Sequence, residues 1–232
     1  MKIREIHQIE VTSRCNLKCR YCVHPSMTRP KIDMDYTTFC RAIKWVKYFS
    51  DQGAQKSLNL AGIGESTIHP NLEYYLEIVR EALPDLPLVI ATNGIEIVKQ
   101  PQIAEYLFKY RCAAFVSLHR PEMAGPAIEI LRQAGCYAGS SSDPATNAVD
   151  WAGQVDWHVS SEHKGRECAW LNMGQSMVLS DGRVTTCSFD STGAGVIGNV
   201  YDDLSKISVK PYELCKSCHY DSSVRIPLAE AV

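Results

Sequence analysis

The sequence lacks a long apolar run and has almost no net charge. Its 232 residues carry 24 Lys and Arg against 26 Asp and Glu, a formal charge of −2. This balance gives no global attraction for a membrane surface, and no extended nucleic-acid surface is expected. No segment approaches the roughly 18 apolar residues of a membrane span, and the start, MKIREIHQIEV, lacks the apolar stretch of a secretory signal. We therefore expect a cytoplasmic protein with no membrane partner.

Cysteine, by contrast, is abundant. The chain has 10 cysteines within an ordinary globular composition of 45% hydrophobic and 22% charged residues. Thiols are kept reduced in the cytosol, so disulfides are the weaker interpretation of this number. Metal binding or redox chemistry is the stronger one.

Strand-like and helix-like segments alternate over the first 160 residues. Strands are predicted at 5–13, 57–65, 86–94, 113–120, 136–142 and 154–161, and helices at 36–50, 71–83, 101–110 and 122–135. This alternation is typical of parallel strands joined by right-handed crossovers. Six such units are too few for a closed barrel of eight, so the predicted fold class is α/β, a partial (β/α)6 TIM barrel.

The pattern changes after the sixth predicted strand. Residues 176–190 indicate a hairpin that turns at Asp181-Gly182, and one modest helix is predicted around 201–208. We therefore predict two units, a partial barrel over 1–160 and a small cysteine-rich domain over 161–232.

Three cysteines directly follow the first predicted strand. Cys15, Cys19 and Cys22 lie in the run TSRCNLKCRYC, at the end of a strand where α/β barrels build their active sites. A disulfide cluster, a zinc site and an iron–sulfur cluster are the alternatives. Zinc needs a fourth ligand, and His24 is the only close candidate. Three thiolates fit a 4Fe-4S cluster better, with one iron left open for an exogenous ligand.

The run C-N-L-K-C-R-Y-C resembles the C-x-x-x-C-x-aromatic-C signature of the radical S-adenosylmethionine (SAM) superfamily. The resemblance implies that the open iron binds the amino and carboxylate groups of SAM. One-electron reduction, from a flavodoxin- or ferredoxin-type donor, then cleaves SAM to a 5′-deoxyadenosyl radical. The cofactor supplies this chemistry, and the protein supplies position and exclusion of water.

Turns after the next three predicted strands are similar to further motifs of that superfamily. GIGE resembles the G-G-E turn that holds the SAM amino group, TNG resembles a common third-strand turn, and VSLHR resembles V-S-x-D-G near the ribose. Ile63 and Ser66 depart from the commonest pattern, and His119 replaces its Asp. Each turn alone is equally an ordinary structural turn. The residues that the resemblance places around SAM are Tyr21, Gly64, Glu65, Thr92, Asn93 and Ser117.

A second set of cysteines lies near the C-terminus: Cys168, Cys187, Cys215 and Cys218. Their spacing alone fits zinc and iron–sulfur equally well. The surrounding segments CSFD, IGNV and LCKSC resemble the Twitch domain, a truncated SPASM domain found in some radical SAM enzymes. That resemblance implies a fully ligated auxiliary 4Fe-4S cluster, and so two clusters in the chain.

Among radical SAM enzymes, the chain resembles the 2-deoxy-scyllo-inosamine dehydrogenases and the anaerobic sulfatase-maturating enzymes. This implies an oxidoreductase that removes hydrogen from a small polar substrate, with the auxiliary cluster taking an electron. The alternatives are radical modification of a peptide or of a nucleotide, including a hypermodified base, and a non-enzymatic zinc or iron–sulfur module. A base is needed at the barrel mouth, and the candidates at strand ends are His119, Arg120, His158 and Glu162.

Overall fold

The computed structural model describes residues 1–118, 120–141, 149–157 and 165–220. Within them, one mixed sheet of eight strands has the order β5-β4-β3-β2-β1-β6-β7-β8. The strands are β1 (Glu5–Ile9), β2 (Leu58–Asn59), β3 (Leu88–Thr92), β4 (Cys112–Ser117), β5 (Ala138–Ser141), β6 (Gln175–Val178), β7 (Arg183–Thr185) and β8 (Val196–Asn199).

The helices follow the strands in the alternation that the sequence predicts. They are α1 (Tyr36–Asp51), α2 (Leu72–Ala82), α3 (Ile95–Lys99), α4 (Gln102–Lys109), α5 (Pro121–Gln133) and α6 (Ala169–Met173). Short 3-10 turns occur at His24–Ser26, Ser66–Ile68, Leu204–Lys206 and Glu213–Lys216. The Asp35 carboxylate starts α1 by accepting the Thr38 N–H at 3.0 Å, which satisfies a backbone donor that the first helical turn leaves free.

Strands β1 to β5 pair in parallel, as in a partial TIM barrel. Leu88 pairs with Cys112 and Ala114 pairs with Ala138. The inner faces bury side chains such as Ile6 and Ile90, each 0% exposed, and each such residue contributes about 1.5–3 kcal/mol through burial. The α/β fold class is confirmed.

Two predicted strands differ from the structure. β2 has only two residues, because the chain from Leu60 onward turns to bring Gly64 and Glu65 against the first loop. The predicted sixth strand is absent at residues 154–157, which form turns, while 158–161 lie outside the described residues. Positive φ angles of 53° at Trp151 and 61° at Ala152 turn the chain just before it.

The place beside β1 is taken instead by β6, which pairs with it in parallel from Glu5–Gln175 to Ile9–Val178. The predicted hairpin over 176–190 is confirmed: β6 and β7 pair antiparallel around Gly182, whose φ is 84°.

The predicted helix at 201–208 is only the short turn at Leu204–Lys206. The boundary at residue 160 stays a prediction. No helix within the described ranges is long and apolar enough to cross a membrane.

Candidate active site

The first three predicted metal ligands lie together in the loop that follows β1. Cys15, Cys19 and Cys22 are all partly buried. Two backbone N–H groups point at sulfur: Leu17 donates to Cys15 Sγ and His24 donates to Cys22 Sγ, each at 3.4 Å. Such bonds to sulfur are one of the protein's means of setting the potential of an iron–sulfur cluster.

Cys15 and Cys22 are in an environment that disfavours free thiolates. Burial is the main cause that raises the pKa of Cys15 to about 11, and neighbouring groups including Cys22 and Cys19 add repulsion. Burial likewise raises the pKa of Cys22. A metal centre would supply the missing positive charge and release the protons on binding.

The loop that carries the thiols is closed at its base. The Ser13 hydroxyl donates to the Pro30 carbonyl at 2.9 Å and accepts the Ile32 N–H at 2.8 Å. The Thr12 hydroxyl donates to Asp33 Oδ1 at 2.6 Å. The loop therefore leaves and returns at one point, the end of β1.

A buried ion pair that the sequence did not reveal lies under this loop. Both terminal nitrogens of Arg29 donate to the Glu10 carboxylate at 2.6 Å, and the two side chains are 1% and 0% exposed. The same carboxylate accepts the N–H groups of Ile63 at 3.0 Å and Ser180 at 3.2 Å. Glu10 thus joins the first loop, the turn after β2 and the β6–β7 hairpin. The available signal was a charged residue between Ile9 and Val11, at the end of the first strand.

Glu65 joins the turns that follow β2 and β3. Its Oε1 accepts three bonds, from Thr67 N at 3.2 Å, Thr67 Oγ1 at 2.6 Å and Thr92 Oγ1 at 2.7 Å. Its Oε2 accepts the Asn93 N–H at 2.7 Å. Burial raises the pKa of Glu65, and the hydrogen bonds oppose that shift. No ion-pair partner of Glu65 is found in the part of the chain that the structure describes.

The same turns contact the first loop directly. A Cβ added to Gly64 would lie 2.2 Å from the Thr12 carbonyl oxygen and 2.6 Å from that of Arg14, so only glycine fits there. The Asn93 side-chain amide donates to Asn16 Oδ1 at 2.7 Å. The ends of the first three strands therefore meet around Cys15, as the motifs predict.

The remaining predicted residues lie around this centre or outside the described ranges. Tyr21 lies beside the thiols, and burial followed by contact with Cys19 raises its pKa. Ser117 ends β4 and is 8% exposed. Arg120 is half exposed at the start of α5 and pairs with Glu122 at 2.5 Å. The other candidate bases, His119, His158 and Glu162, lie outside the described residues.

The second set of thiols lines one cavity of about 250 Å³. Its walls combine the four thiols with mostly apolar and aromatic groups: Cys168, Cys187, Cys215, Cys218, Trp170, Phe189, Tyr212 and Tyr220. Phe189 N–H donates to Cys187 Sγ at 3.4 Å, and Tyr220 N–H donates to Cys218 Sγ at 3.5 Å. As in the first set, the N–H group two residues after a cysteine donates to that cysteine's sulfur.

The donor set fits an iron–sulfur cluster. Burial is the main cause that raises the pKa of Cys187 to about 12, and the other three thiols add to it. Within the described residues, no three His, Cys, Asp or Glu side chains converge closely enough to hold one metal ion. Four thiols around one cavity are the ligands that a 4Fe-4S cluster uses, one on each iron. None of the 10 cysteines is in a disulfide.

A larger groove, of about 790 Å³, opens beside Cys15. Its lining includes two basic side chains, Arg14 and Lys31, and two acidic ones, Glu73 and Glu96. The groove gives the first thiol set a polar approach from the outer surface.

Two curated proteins are similar to part of the chain. The tungsten-containing aldehyde ferredoxin oxidoreductase cofactor-modifying protein of Pyrococcus furiosus is 36% identical over 87 residues, which are 37% of this chain and 23% of that protein. The GTP 3′,8-cyclase of Campylobacter curvus is 34% identical over 89 residues, which are 38% of this chain and 26% of the cyclase. The match thus spans about a quarter of each relative.

Two solved structures share the fold over most of the chain. BtrN in complex with AdoMet and 2-DOIA has a TM-score of 0.65 at 18% identity, covering 88% of this chain and 85% of BtrN. Native anSMEcpe with bound AdoMet and Cp18Cys peptide has a TM-score of 0.59 at 17% identity, covering 92% of this chain and 86% of that one. The family model for the radical SAM superfamily matches residues 9–161. The chain therefore belongs to the radical SAM superfamily.

Proposed function

We propose that this protein is a radical SAM oxidoreductase that removes a hydrogen atom from a small polar substrate. One observation carries the proposal: three thiols lie in the loop after β1, and a buried carboxylate near Cys15, that of Glu65, is held between the turns after β2 and β3. Cys15, Cys19 and Cys22 would hold a 4Fe-4S cluster with one open iron. When bound, the two clusters supply the electron that cleaves SAM to the 5′-deoxyadenosyl radical and accept the electron left on the substrate.

Glu65 is suited to receive the amino group of SAM. A carboxylate has about four acceptor positions, and Oε1 is filled by three donors while Oε2 has only the Asn93 N–H. One position on Oε2 remains for an incoming N–H. An ammonium there would also neutralise a charge that burial makes costly.

The other predicted residues complete the SAM site around this contact. Gly64 lets the turn approach the first loop, while Thr92 and Asn93 hold Glu65 in place. Tyr21 lies next to Cys22 where the superfamily places the adenine, and Ser117 ends β4 where it places the ribose.

The second thiol set would hold the auxiliary 4Fe-4S cluster. Cys168, Cys187, Cys215 and Cys218 provide four sulfur ligands around one cavity, so no iron would remain open for the substrate. A fully ligated cluster suits electron transfer, which is the reason for proposing an oxidation. Among the candidate bases, only Arg120 is described, and its pairing with Glu122 directs it toward α5.

The substrate class rests on similarity of fold. BtrN was solved with 2-DOIA, a small molecule, and its TM-score is higher than that of anSMEcpe. A peptide is the second candidate, because anSMEcpe was solved with one. A nucleotide is the third, because the partly similar cyclase bears the name of GTP. A flavodoxin- or ferredoxin-type donor would approach the first cluster through the groove beside Cys15.

Anaerobic reconstitution tests the proposal. Wild-type protein should bind about eight irons, as two four-iron sites require, and should release 5′-deoxyadenosine when SAM and dithionite are added. Uptake of zinc without SAM cleavage would instead support the non-enzymatic binding module. Cys40→Ala is the matched control, because Cys40 lies on α1 outside both sets.

A further inference from the structure

A short segment between the two thiol sets has an unusual backbone. Trp151, Ala152 and Gly153 have consecutive φ angles of 53°, 61° and 81°, all in the left-handed region. Glycine adopts this conformation freely, whereas a bulky residue such as tryptophan rarely does. Such strain persists only where surrounding contacts enforce it, and it is concentrated at functional sites. We call residues 151–154 the bracket segment.

The bracket segment binds the loop of the first thiol set. The indole N–H of Trp151 donates to the carbonyl of Tyr21 at 3.0 Å, between Cys19 and Cys22. The Trp151 ring also packs in a small hydrophobic cluster with Val23 and Met27 of that loop. The same residue is therefore held to the first loop by one hydrogen bond and by apolar contact.

The bracket segment also binds two of the three chain stretches that carry the second thiol set. Ser217, which lies between Cys215 and Cys218, donates its hydroxyl to the Ala152 carbonyl at 2.7 Å. Gln154 Nε2 donates to the Phe189 carbonyl at 2.8 Å and to the Trp151 carbonyl at 2.6 Å.

Side-chain packing strengthens this second attachment. The Trp151 ring lies 5.3 Å from that of Phe189, whose N–H donates to Cys187 Sγ. Ala152 is 2% exposed and lines the cavity of the second set. Four consecutive residues thus contact every loop that carries clustered thiols except that of Cys168.

We infer that the bracket segment couples the two sites, so that a cluster bound by the second thiol set holds the Cys19–Cys22 loop in the geometry that binds SAM. This inference rests on the proposed function and extends it, because it makes Trp151 a positioning residue for a site that it does not itself form. Coupling of this kind is reciprocal, so SAM bound at the first site also stabilises the second cluster.

A double-mutant cycle tests the coupling. Trp151→Phe keeps an aromatic ring against Phe189 but deletes the N–H that reaches Tyr21. Cys215→Ala with Cys218→Ala removes the second cluster. The dissociation constant for SAM is measured by equilibrium dialysis on anaerobically reconstituted protein, together with iron content. Each change alone should weaken SAM binding about fivefold, the lower end of ordinary coupling. The combined variant should bind SAM no more weakly than either single variant.

Two further variants separate coupling from general damage. Ser217→Ala deletes the hydroxyl bonded to Ala152 without touching a thiol or the first loop, and it should weaken SAM binding about twofold, as expected for one lost hydrogen bond. Trp45→Phe makes the same ring exchange on α1, away from both sets, and should leave SAM affinity unchanged.

The outcomes distinguish this inference from the proposed function. If wild-type protein loads both clusters and binds SAM, but the effects of Trp151→Phe and of cluster removal multiply, the coupling is wrong and the function stands. An unchanged SAM affinity after removal of the second cluster would likewise contradict the coupling and leave the function standing. If wild-type protein binds no SAM, the proposed function fails and the coupling fails with it.

Discussion

The backbone N–H of Asn93 donates to Oε2 of Glu65 at 2.7 Å, which joins the turn after β3 to the turn after β2. The Asn93 side chain extends this link to Asn16 in the thiol-bearing loop. Glu65 therefore has a fixed position relative to Cys15, although the two residues come from different strand ends.

Replacing Glu65 with Gln should separate SAM binding from folding. The amide keeps the shape of the carboxylate but presents an NH₂ group either to the Asn93 N–H or to the threonine hydroxyls, and it cannot pair with an ammonium. We expect the dissociation constant for SAM to rise at least about tenfold, which corresponds to about 1.4 kcal/mol. Equilibrium dialysis with SAM and thermal unfolding of the same samples measure the two effects. An unchanged affinity would remove Glu65 from the SAM site.

Substitutions of single cysteines should show that the two sites have different roles in the reaction. Changing Cys15, Cys19 or Cys22 to Ala should abolish release of 5′-deoxyadenosine, because the open iron is lost. Cys187→Ala should retain part of that cleavage yet stop formation of oxidised product. Chromatography of 5′-deoxyadenosine and of a candidate substrate, together with iron counts, measures cleavage, product formation and cluster content in each variant. Complete loss of cleavage in Cys187→Ala, with the first cluster still bound, would contradict separate roles.

Gly64→Ala should destabilise the protein. Its Cβ would meet two backbone carbonyl oxygens, of Thr12 and Arg14, neither of which can rotate away. We expect a loss of about 2 kcal/mol or more in the free energy of unfolding, the range of severe steric substitutions. Gly125→Ala is the matched control, since a Cβ there meets nothing within 4 Å on α5, and it should stabilise by about 0.5–1 kcal/mol. Urea unfolding of both variants provides the comparison.

Glu10→Gln should be among the most destabilising single changes. It leaves the Arg29 guanidinium, 1% exposed, without a counter-charge, and breaking a buried pair in this way costs about 3–5 kcal/mol. Replacing Glu10 and Arg29 together by Gln and Met should recover part of the loss, because no unpaired charge remains. A double variant less stable than Glu10→Gln would show that the pair does not act as a unit.

The stability of the protein should fall in acid, in part through Glu5. Burial raises the pKa of Glu5, but hydrogen bonds from His7, Gln175 and the Lys56 N–H outweigh it and lower the value from 4.5 to about 2. A carboxyl group with a lowered folded-state pKa stabilises above the unfolded value and loses that contribution as the pH falls toward the folded value. Urea unfolding at pH 6 and at roughly pH 3 should show a loss on the order of 2 kcal/mol from this group. Glu5→Gln should reduce that difference.

The sequence predicted those features of the site that depend on residues close to one another in the chain. The thiols after β1, the turn at Gly64-Glu65 and the Thr92-Asn93 turn each follow a strand, and parallel strands bring their ends to one edge. The order of motifs therefore sufficed to predict that they meet. The hairpin at Asp181-Gly182 was equally local, since two residues define its turn.

Contacts between distant residues could not be predicted in the same way. The partner of Glu10 is 19 residues away, and the Trp151 indole meets a carbonyl 130 residues away in sequence. No periodicity encodes such pairs. The segment from 154 was predicted as a strand because its apolar residues alternate. In the structure, left-handed residues turn the chain just before this segment, and β6 occupies the place beside β1.

The pairing of β6 with β1 has a consequence for electron transfer. The first thiol set follows β1, and Cys187 follows β7, two strands away in one continuous sheet. Neighbouring strands lie about 4.8 Å apart and cannot slide without breaking their ladder. The sheet therefore fixes the separation between the two strand ends from which the sites are built. If both clusters bind as proposed, we expect any electron transfer between them to cross a constant distance.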